Sequence, residues 1–349
     1  MLPKIYLDQN NTTKSIWFFE TLLNEKGALP HHNKALAELY RQIGKYEKSV
    51  TIYLNLIKDH PQYSQEACRH LEKVLLLCPD KYSIRVSLID LYKKTHALSK
   101  TLVQLELLTT NTNFQTPELN LLYDDLLCLY PQNINLISSY ANSLILRKQY
   151  VDSLTYLYQI ITFPKFDTEF VLHCISTIKT QCPQFYGIGL FEIKFNFELS
   201  NYDLCAEKIE KMLSVSKEPS FLEELKEQCL SIWEYISDSQ KESVSYCLAY
   251  ILFHLNKFID AFNYCELAGK TDINAQLLKL DILHKQENIS KLVKETSKAI
   301  SIFPQSSLIQ TAKYKSFLSI LKTELSQTHI NNQNSILGYM LSNKRQEAI

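Results

Sequence analysis

Glycine and proline are scarce in this sequence, with six and ten residues in a chain of 349. Architectures built from strands and tight turns use glycine repeatedly, whereas helical hairpins joined by short polar loops need little of it. The sequence also lacks any run that approaches the roughly 18 uncharged apolar residues of a membrane-spanning helix. These features favour an all-α protein with no segment inserted in a membrane.

An excess of charge of either sign is missing as well. The chain carries 37 basic and 37 acidic side chains. A protein whose main partner is a phosphate backbone or an anionic membrane normally has an excess of lysine and arginine. We therefore expect neither nucleic acid nor a membrane among the partners of this chain.

The nine cysteines include no CxxC pair, and their number is odd. A disulfide framework in a secreted protein normally uses an even number of cysteines at regular spacing. The N-terminal sequence MLPKIYLDQN also lacks the charged region and apolar core of a secretory signal. Both features predict an intracellular protein, either cytoplasmic or nuclear.

The fold is decided by repeated motifs. The clearest motif runs from Pro30 to Pro61, and its key residues are Leu36, Ala37, Tyr40, Gly44, Ser49, Tyr53 and Leu56. This order matches the tetratricopeptide pattern, in which small residues lie where two helices cross closely and a proline closes the repeat. Two further units, at 242–304, follow after a slip in register.

A longer period runs through the middle of the chain. Pro79, Pro131 and Pro183 lie 52 residues apart (131 − 79 and 183 − 131). The same interval relates five further sets of residues: Leu71, Tyr123 and Ile175; Val74, Leu126 and Ile178; Thr101, Ser153 and Cys205; Leu105, Leu157 and Ile209; Leu108, Ile160 and Met212. A helix and its turn take about 17 residues in this pattern, so the interval corresponds to three helices.

These motifs resemble the tetratricopeptide repeat family over most of residues 13–325. The resemblance implies a right-handed α-solenoid of helix–turn–helix repeats, with 13–325 as a single domain. Residues 1–12 would be a lead-in, and 326–349 a polar linker with a short C-terminal helix. Helices over 13–26 and about 306–326 are expected to cap the first and last repeats. An irregular helical bundle is the alternative.

Local signals mark three helix starts inside the repeats. Thr116-Pro117-Glu118 offers an N-cap, a first-turn proline and an acidic residue. Ser220 and Glu223 have the spacing of a capping box. Gly187-Ile188-Gly189 is expected to begin a helix after Pro183.

Catalytic and metal-binding motifs are missing: the sequence has no glycine-rich phosphate loop, HExxH or GxSxG. Glu66 and His70 are four residues apart and would offer two metal ligands, but such an isolated pair is more often a surface contact. His173 and Cys174 point to different faces of a helix. We therefore predict no enzyme activity, cofactor, metal or catalytic residue.

Protein-binding residues are expected on helix faces that do not pack between repeats. The candidates are Tyr82, Asn135, Asn142, Phe191 and Tyr246, since side chains with an aromatic ring or an amide suit peptide recognition. Packing between repeats is the alternative role for each. In the tail, Ile336, Tyr339 and Met340 would share one face of a short helix, which either caps the last repeat or docks on a partner.

Tetratricopeptide domains that grip chaperone C-termini use a clamp of lysine and asparagine. Lys34 fits the first clamp position, but Glu38 stands where the clamp needs asparagine. Val86, Ser87 and Ser139 occupy other clamp positions. A co-chaperone function is therefore not expected.

Within the family, the segment from Pro30 to Pro61, including Ser49-Val50-Thr51, is similar to part of subunit 7 of the anaphase-promoting complex. This similarity implies a structural subunit of a ubiquitin ligase that stacks on sister repeat subunits and often dimerises. We therefore predict a non-enzymatic protein–protein interaction scaffold in a multiprotein assembly. The alternative is a free-standing adaptor or effector that binds a short peptide of one partner in its groove.

Overall fold

The computed structural model describes residues 12–24, 29–110 and 116–312, and within these ranges it contains helices and no β-strand. The α-helices are α1 (Thr12–Asn24), α2 (Pro30–Gln42), α3 (Tyr46–Asp59), α4 (Ser64–Leu77), α5 (Tyr82–Lys94), α6 (Leu98–Thr109), α7 (Thr116–Leu129), α8 (Ile134–Leu146), α9 (Tyr150–Ile161), α10 (Thr168–Gln181), α11 (Gly187–Glu198), α12 (Tyr202–Met212), α13 (Pro219–Ile232), α14 (Asp238–His254), α15 (Phe258–Leu267), α16 (Ile273–Lys285) and α17 (Ile289–Ile302). A 3₁₀ turn at Pro61–Tyr63 precedes α4. The fold is an all-α helical repeat solenoid, as predicted.

The chain divides into two compact units between Cys174 and Ile175, within α10. The first unit contains α1 to α9, and the second contains α11 to α17. The assignment of 13–325 to one domain stays a prediction. The helix predicted at 13–26 is confirmed over 13–24 as part of α1, and residues 25 and 26 lie outside the described residues. A helix that starts at 307 is described as far as 312, and the rest of the predicted helix at 306–326 lies outside the described residues.

Six pairs of consecutive helices in the described part of the chain are joined by the same three-residue turn, at 43–45, 95–97, 147–149, 199–201, 255–257 and 286–288. The middle residue of each turn has a positive φ, from 54° at His96 to 75° at Gly44. The N–H of the third residue donates to the carbonyl five residues earlier, as in Lys45 to Tyr40 at 2.9 Å. In this Schellman motif, N–H groups of the turn donate hydrogen bonds to the last carbonyls of the first helix. The chain therefore reverses its direction within three residues.

The position of these turns explains the period of the sequence. The first four middle residues, Gly44, His96, Lys148 and Ser200, follow one another at the 52-residue interval. One interval is therefore a tight helix pair plus a third helix, which confirms the prediction of three helices. All residues of the five predicted sets are buried. The slip in register has two causes. Helix α14 has 17 residues and is longer than the first helices of the earlier tight pairs. The tight pair of α16 and α17 also follows the pair of α14 and α15 directly, with no single helix between the two pairs.

Small residues lie at the helix crossing in three of the tight pairs. The Ser49 hydroxyl donates to the Ala37 carbonyl on the preceding helix at 2.6 Å, and Ser153 donates to Ala141 at 3.3 Å. The thiol of Cys205 makes the equivalent contact with the Ile193 carbonyl at 3.3 Å. In all three contacts the partners are 12 residues apart. The short side chain lets the two backbones approach, and its polar atom binds the nearby carbonyl.

Contacts between alternate helices define how the pairs stack. In the first unit, Lys93 on α5 binds Asp125 on α7 at 2.8 Å, and Thr109 on α6 binds Ser143 on α8 at 3.2 Å. The partners are 32 and 34 residues apart. Alternate helices therefore lie side by side, with the two-helix, roughly 34-residue period of tetratricopeptide repeats.

One predicted helix start is wrong. Ser220 is not an N-cap, because α13 begins one residue earlier at Pro219 and Glu218 is its N-cap. Proline suits the first helical position and sets the start there. The described part of the chain has a capping box at Ser237 instead, before α14. The start of α11 at Gly187 is confirmed, and α7 begins at Thr116, which is therefore its first helical residue and not its N-cap.

A buried ion network joins α15, α16 and α17. The Lys279 ammonium on α16 contacts Glu266 on α15, and it binds Glu295 on α17 at 2.8 Å. Lys298 binds the same Glu295 carboxylate at 2.7 Å. Burial alone would lower the pKa of Lys279, but hydrogen bonds to the two carboxylates outweigh it and raise the pKa. A buried charge is tolerated only when it is paired in this way, so the network fixes the register of these helices.

The positive φ of the tight turns leads us to expect that glycine at position 148 would stabilise the protein. Lys148 is exposed and has a φ of 61°, a left-handed conformation that costs a residue with a Cβ about 1 kcal/mol. Lys148→Gly should therefore raise the free energy of unfolding by up to about 1 kcal/mol, less the extra entropy of the unfolded chain. Urea unfolding followed by far-ultraviolet circular dichroism measures this difference.

Gly44→Ala is the matched control. A Cβ built at Gly44 would meet no heavy atom within 4 Å, so the substitution tests only the φ of 75°. It should lower the free energy of unfolding by about 1 kcal/mol. Equal stability of the wild type and both variants would show that the turns carry no conformational strain.

Candidate protein-binding surface

The structure separates the residues predicted to bind partners. Asn135 is exposed and Asn142 partly exposed on α8, where a spacing of seven residues places them on one face. Tyr82 is half-buried at the start of α5 and packs against the core around Tyr123. In the second unit, Tyr246 on α14 is half-buried and packs against two core clusters. The asparagines therefore keep an exposed surface, and the tyrosines are largely occupied by packing.

The prediction for Phe191 is wrong. Its side chain is fully buried, and its ring centroid lies 6.3 Å from that of Phe195. Helix α11 has buried apolar side chains all around its axis, at Ile188, Leu190, Phe191, Ile193 and Phe195, so Phe191 is not available to a partner. Ile336, Tyr339 and Met340 lie outside the described residues.

The sequence suggested a surface contact between Glu66 and His70, but His70 is not part of such a pair. Its side chain on α4 is only 5% exposed, and its ring lies 4.2 Å from that of Tyr53. Its Nε2 atom is 2.7 Å from the Ser49 hydroxyl. Glu66 instead binds Lys34. Within the described ranges, no group of three or more His, Cys, Asp or Glu side chains is arranged to hold a metal ion.

Ser49, His70 and Glu38 have the order of a catalytic triad. The Glu38 carboxylate is 3.9 Å from His70 Nδ1, and His70 Nε2 faces the serine. However, Ser49 is fully buried and donates its only proton to the Ala37 carbonyl. With that proton engaged at Ala37, the serine hydroxyl does not donate to the histidine nitrogen beside it as a catalytic serine would. The three side chains join α2, α3 and α4, and their role is structural.

The two clamp positions on α2 are also engaged within the protein. The Lys34 ammonium binds Glu66 and lies 3.9 Å from the centroid of the Tyr63 ring. Glu38 pairs with Arg41, whose guanidinium lowers the pKa of that carboxyl. A ligand carboxylate at Lys34 would have to compete with Glu66.

Exposed aliphatic side chains lie together on α4 and α6. The ion pair between Glu72 and Lys100, at 2.9 Å, places these two alternate helices side by side. Leu76 lies one turn beyond Glu72 and is 83% exposed. Val103 and Leu107 lie one and two turns beyond Lys100, and they are 52% and 47% exposed. Since alternate helices run in the same direction, we infer that the three side chains form an apolar row on this surface.

Two cations extend this row along α4. Arg69 and Lys73 are exposed, and they precede Leu76 by seven and three residues on the same helix face. We call the surface formed by Arg69, Lys73, Leu76, Val103 and Leu107 the α4–α6 face. Apolar side chains flanked by exposed charge are typical of protein-binding surfaces. The sequence did not reveal it, because the run Val74-Leu75-Leu76-Leu77 does not show which leucines are buried.

No family model and no curated protein matches the sequence. Similar solved structures include yeast Tom70, with 13% identity over 92% of this chain and 95% of that chain and a TM-score of 0.26. The P58(IPK) TPR domain is 12% identical over 92% and 97% of the two chains, with a TM-score of 0.24. The APC/C hetero-tetramer Cut9–Hcn1 is 10% identical over 90% and 95%, with a TM-score of 0.26. TM-scores this low carry no argument about function.

No helix within the described ranges is long and apolar enough to cross a membrane.

The buried histidine predicts a specific pH dependence. Burial lowers the pKa of His70 from 6.5 to about 4, so the unfolded chain binds a proton at mildly acidic pH before the folded protein does. The stability contributed by the neutral ring is therefore complete above pH 6.5 and lost as the pH falls toward 4. One such group should lower the free energy of unfolding by about 1 kcal/mol between pH 7.5 and pH 5.5.

His70→Gln keeps a side chain that can hydrogen-bond to Ser49 and removes the titrating group. Urea unfolding at both pH values should show a smaller decrease in this variant than in the wild type. An identical decrease in the two proteins would mean that His70 takes up its proton equally in the folded and unfolded states.

Proposed function

We propose that this chain is a non-enzymatic protein–protein interaction scaffold and a structural subunit of an intracellular multiprotein assembly. The observation that carries the proposal is the α4–α6 face. Its three aliphatic side chains remain in water in the isolated chain, and each would contribute roughly 1–2 kcal/mol on burial against a partner.

The composition of the α4–α6 face indicates the chemistry of the partner. Leu76, Val103 and Leu107 would pack against an apolar stripe. Arg69 and Lys73 would pair with acidic side chains beside that stripe. An amphipathic helix with acidic flanks, such as a helix of another repeat subunit, meets both requirements.

The second candidate function is a free-standing adaptor that holds a short peptide of one partner. It is favoured by Asn135 and Asn142, whose amides lie on one face of α8 and could bind the backbone of an extended peptide. The two functions differ in the native size of the protein. A subunit should migrate in a large complex in cell extract, whereas an adaptor should migrate near its own mass of 40.6 kDa.

Acidic substitutions on the α4–α6 face should prevent the partner from binding. In the double variant Leu76→Asp and Leu107→Asp, carboxylates replace two aliphatic contacts, and desolvating them would oppose docking. We expect at least a tenfold loss of the co-purifying partner, with an unchanged melting temperature, because both side chains are exposed. Tagged protein is purified from the source cell, and co-purifying chains are quantified by mass spectrometry.

Leu121→Asp is the matched control, since Leu121 is 64% exposed on α7 of the same unit but outside the α4–α6 face. This variant should retain the partner. Equal recovery from the wild type, the double variant and the control would refute the proposed role of the face. A lower melting temperature in the double variant would show that Leu76 and Leu107 stabilise the isolated fold instead.

A further inference from the structure

A cleft of about 650 Å³ lies in the second unit, well removed in sequence from the α4–α6 face. It is bordered by the C-terminal turn of α10, the connection to α11, and the helices α11 and α12. Its lining combines apolar, aromatic and basic side chains, and the residues that determine its chemistry are Lys179, Tyr186, Gly189, Glu192, Lys208 and Lys211. We call it the lysine cleft.

The floor of the lysine cleft is apolar because a glycine makes room for methionine. Ile188 and Met212 are buried at its base. A Cβ at Gly189 would lie 2.4 Å from Met212 Sδ, so only glycine leaves the methionine in this position. Tyr186 stands at the side and is partly exposed, with its ring packed edge-on against Phe221 at 5.2 Å. The cleft can therefore receive an apolar side chain.

Basic groups outnumber acidic groups around this floor. Three lysines, Lys179, Lys208 and Lys211, line the cleft together with a single acid, Glu192. One oxygen of Glu192 is 2.7 Å from the Lys179 ammonium, and the other is 3.2 Å from that of Lys208. Lys211 pairs with Glu207 at the rim. The lining keeps an excess of positive charge that its own carboxylate does not neutralise.

The environment of Glu192 strengthens its ion pair with Lys208. Its side chain is 14% exposed and that of Lys208 is 24% exposed, so water screens them less than it screens a surface pair. The carboxylate thus occupies the position that an acidic group of a ligand would take between Lys179 and Lys208. It holds both ammonium groups in place and also competes for them.

We propose that the lysine cleft binds an acidic segment of a partner protein, with an apolar side chain on the floor and carboxylates at the lysines. Glu192 acts as an internal competitor that weakens this binding. The inference concerns a second surface and does not depend on the α4–α6 face. Charge complementarity selects the acidic segment, and the floor of Ile188 and Met212 selects a peptide over a bare anion.

The probe is a library of random 12-residue peptides displayed on phage and selected on the purified full-length wild-type protein. Enriched peptides should contain Asp and Glu in excess over the unselected library, together with a large apolar residue. A labelled copy of an enriched peptide is then titrated by fluorescence anisotropy against the wild type and variants.

Two substitutions should change the affinity in opposite directions. Lys208→Gln removes a charge-assisted hydrogen bond and should weaken binding about tenfold. Glu192→Gln keeps the shape of the side chain, removes the competing charge and should tighten binding about fivefold. Lys211→Gln, at the exposed rim, should weaken binding less than Lys208→Gln. Melting temperatures verify that each variant is folded.

Several outcomes would overturn the inference. Enriched peptides without an acidic excess would exclude the proposed ligand. Equal binding to the wild type and Lys208→Gln would place the peptide elsewhere, and binding lost in Leu76→Asp with Leu107→Asp would place it on the α4–α6 face. A lower melting temperature with unchanged affinity in Glu192→Gln would show that the Lys179–Glu192–Lys208 bridge only joins three helices.

Discussion

The close crossing of two consecutive helices is the constraint on which the rest of the structure depends. A small residue, as at Ser49 or Cys205, lets the backbones approach, and the Schellman turn before it returns the chain without a loose loop. Each pair presents a continuous apolar surface to its neighbours, so the core extends by adding further pairs. A bulky side chain at the crossing would separate the pair and disturb the adjoining helices first.

Buried polar groups at these junctions supply specificity rather than chemistry. Ser49 with His70, and Lys279 with Glu295, each connect helices that apolar packing alone would allow to slide. Both clusters are closed to solvent, and their polar atoms are paired inside the protein. The groups free to meet a partner lie instead on the helix faces, where aliphatic, amide and basic side chains are exposed.

The helical repeat and its three-helix interval could be predicted from the sequence, because buried positions recur at a fixed spacing and each marker supports the others. The roles of single residues could not be predicted. Phe191 is predicted on a surface, but its side chain is fully buried among other apolar side chains of α11. His70 was expected on a surface because the sequence does not show that Ser49, which is 21 residues away, lies beside it. The α4–α6 face depends on which leucines of a continuous run are buried, and only the packing of neighbouring helices decides that.

The chain has two periods, one of an odd and one of an even number of helices. The sequence repeats after three helices, whereas alternate helices lie side by side in two rows. Because equivalent helices are three positions apart, each one lies in the opposite row from the one before it. In the first unit, α2 and α8 share a row and α5 lies in the other. Duplication of a three-helix segment would thus preserve the interior but turn equivalent outer residues to opposite sides. An outer surface returns to the same side only after two copies, so neighbouring copies are free to acquire different partners.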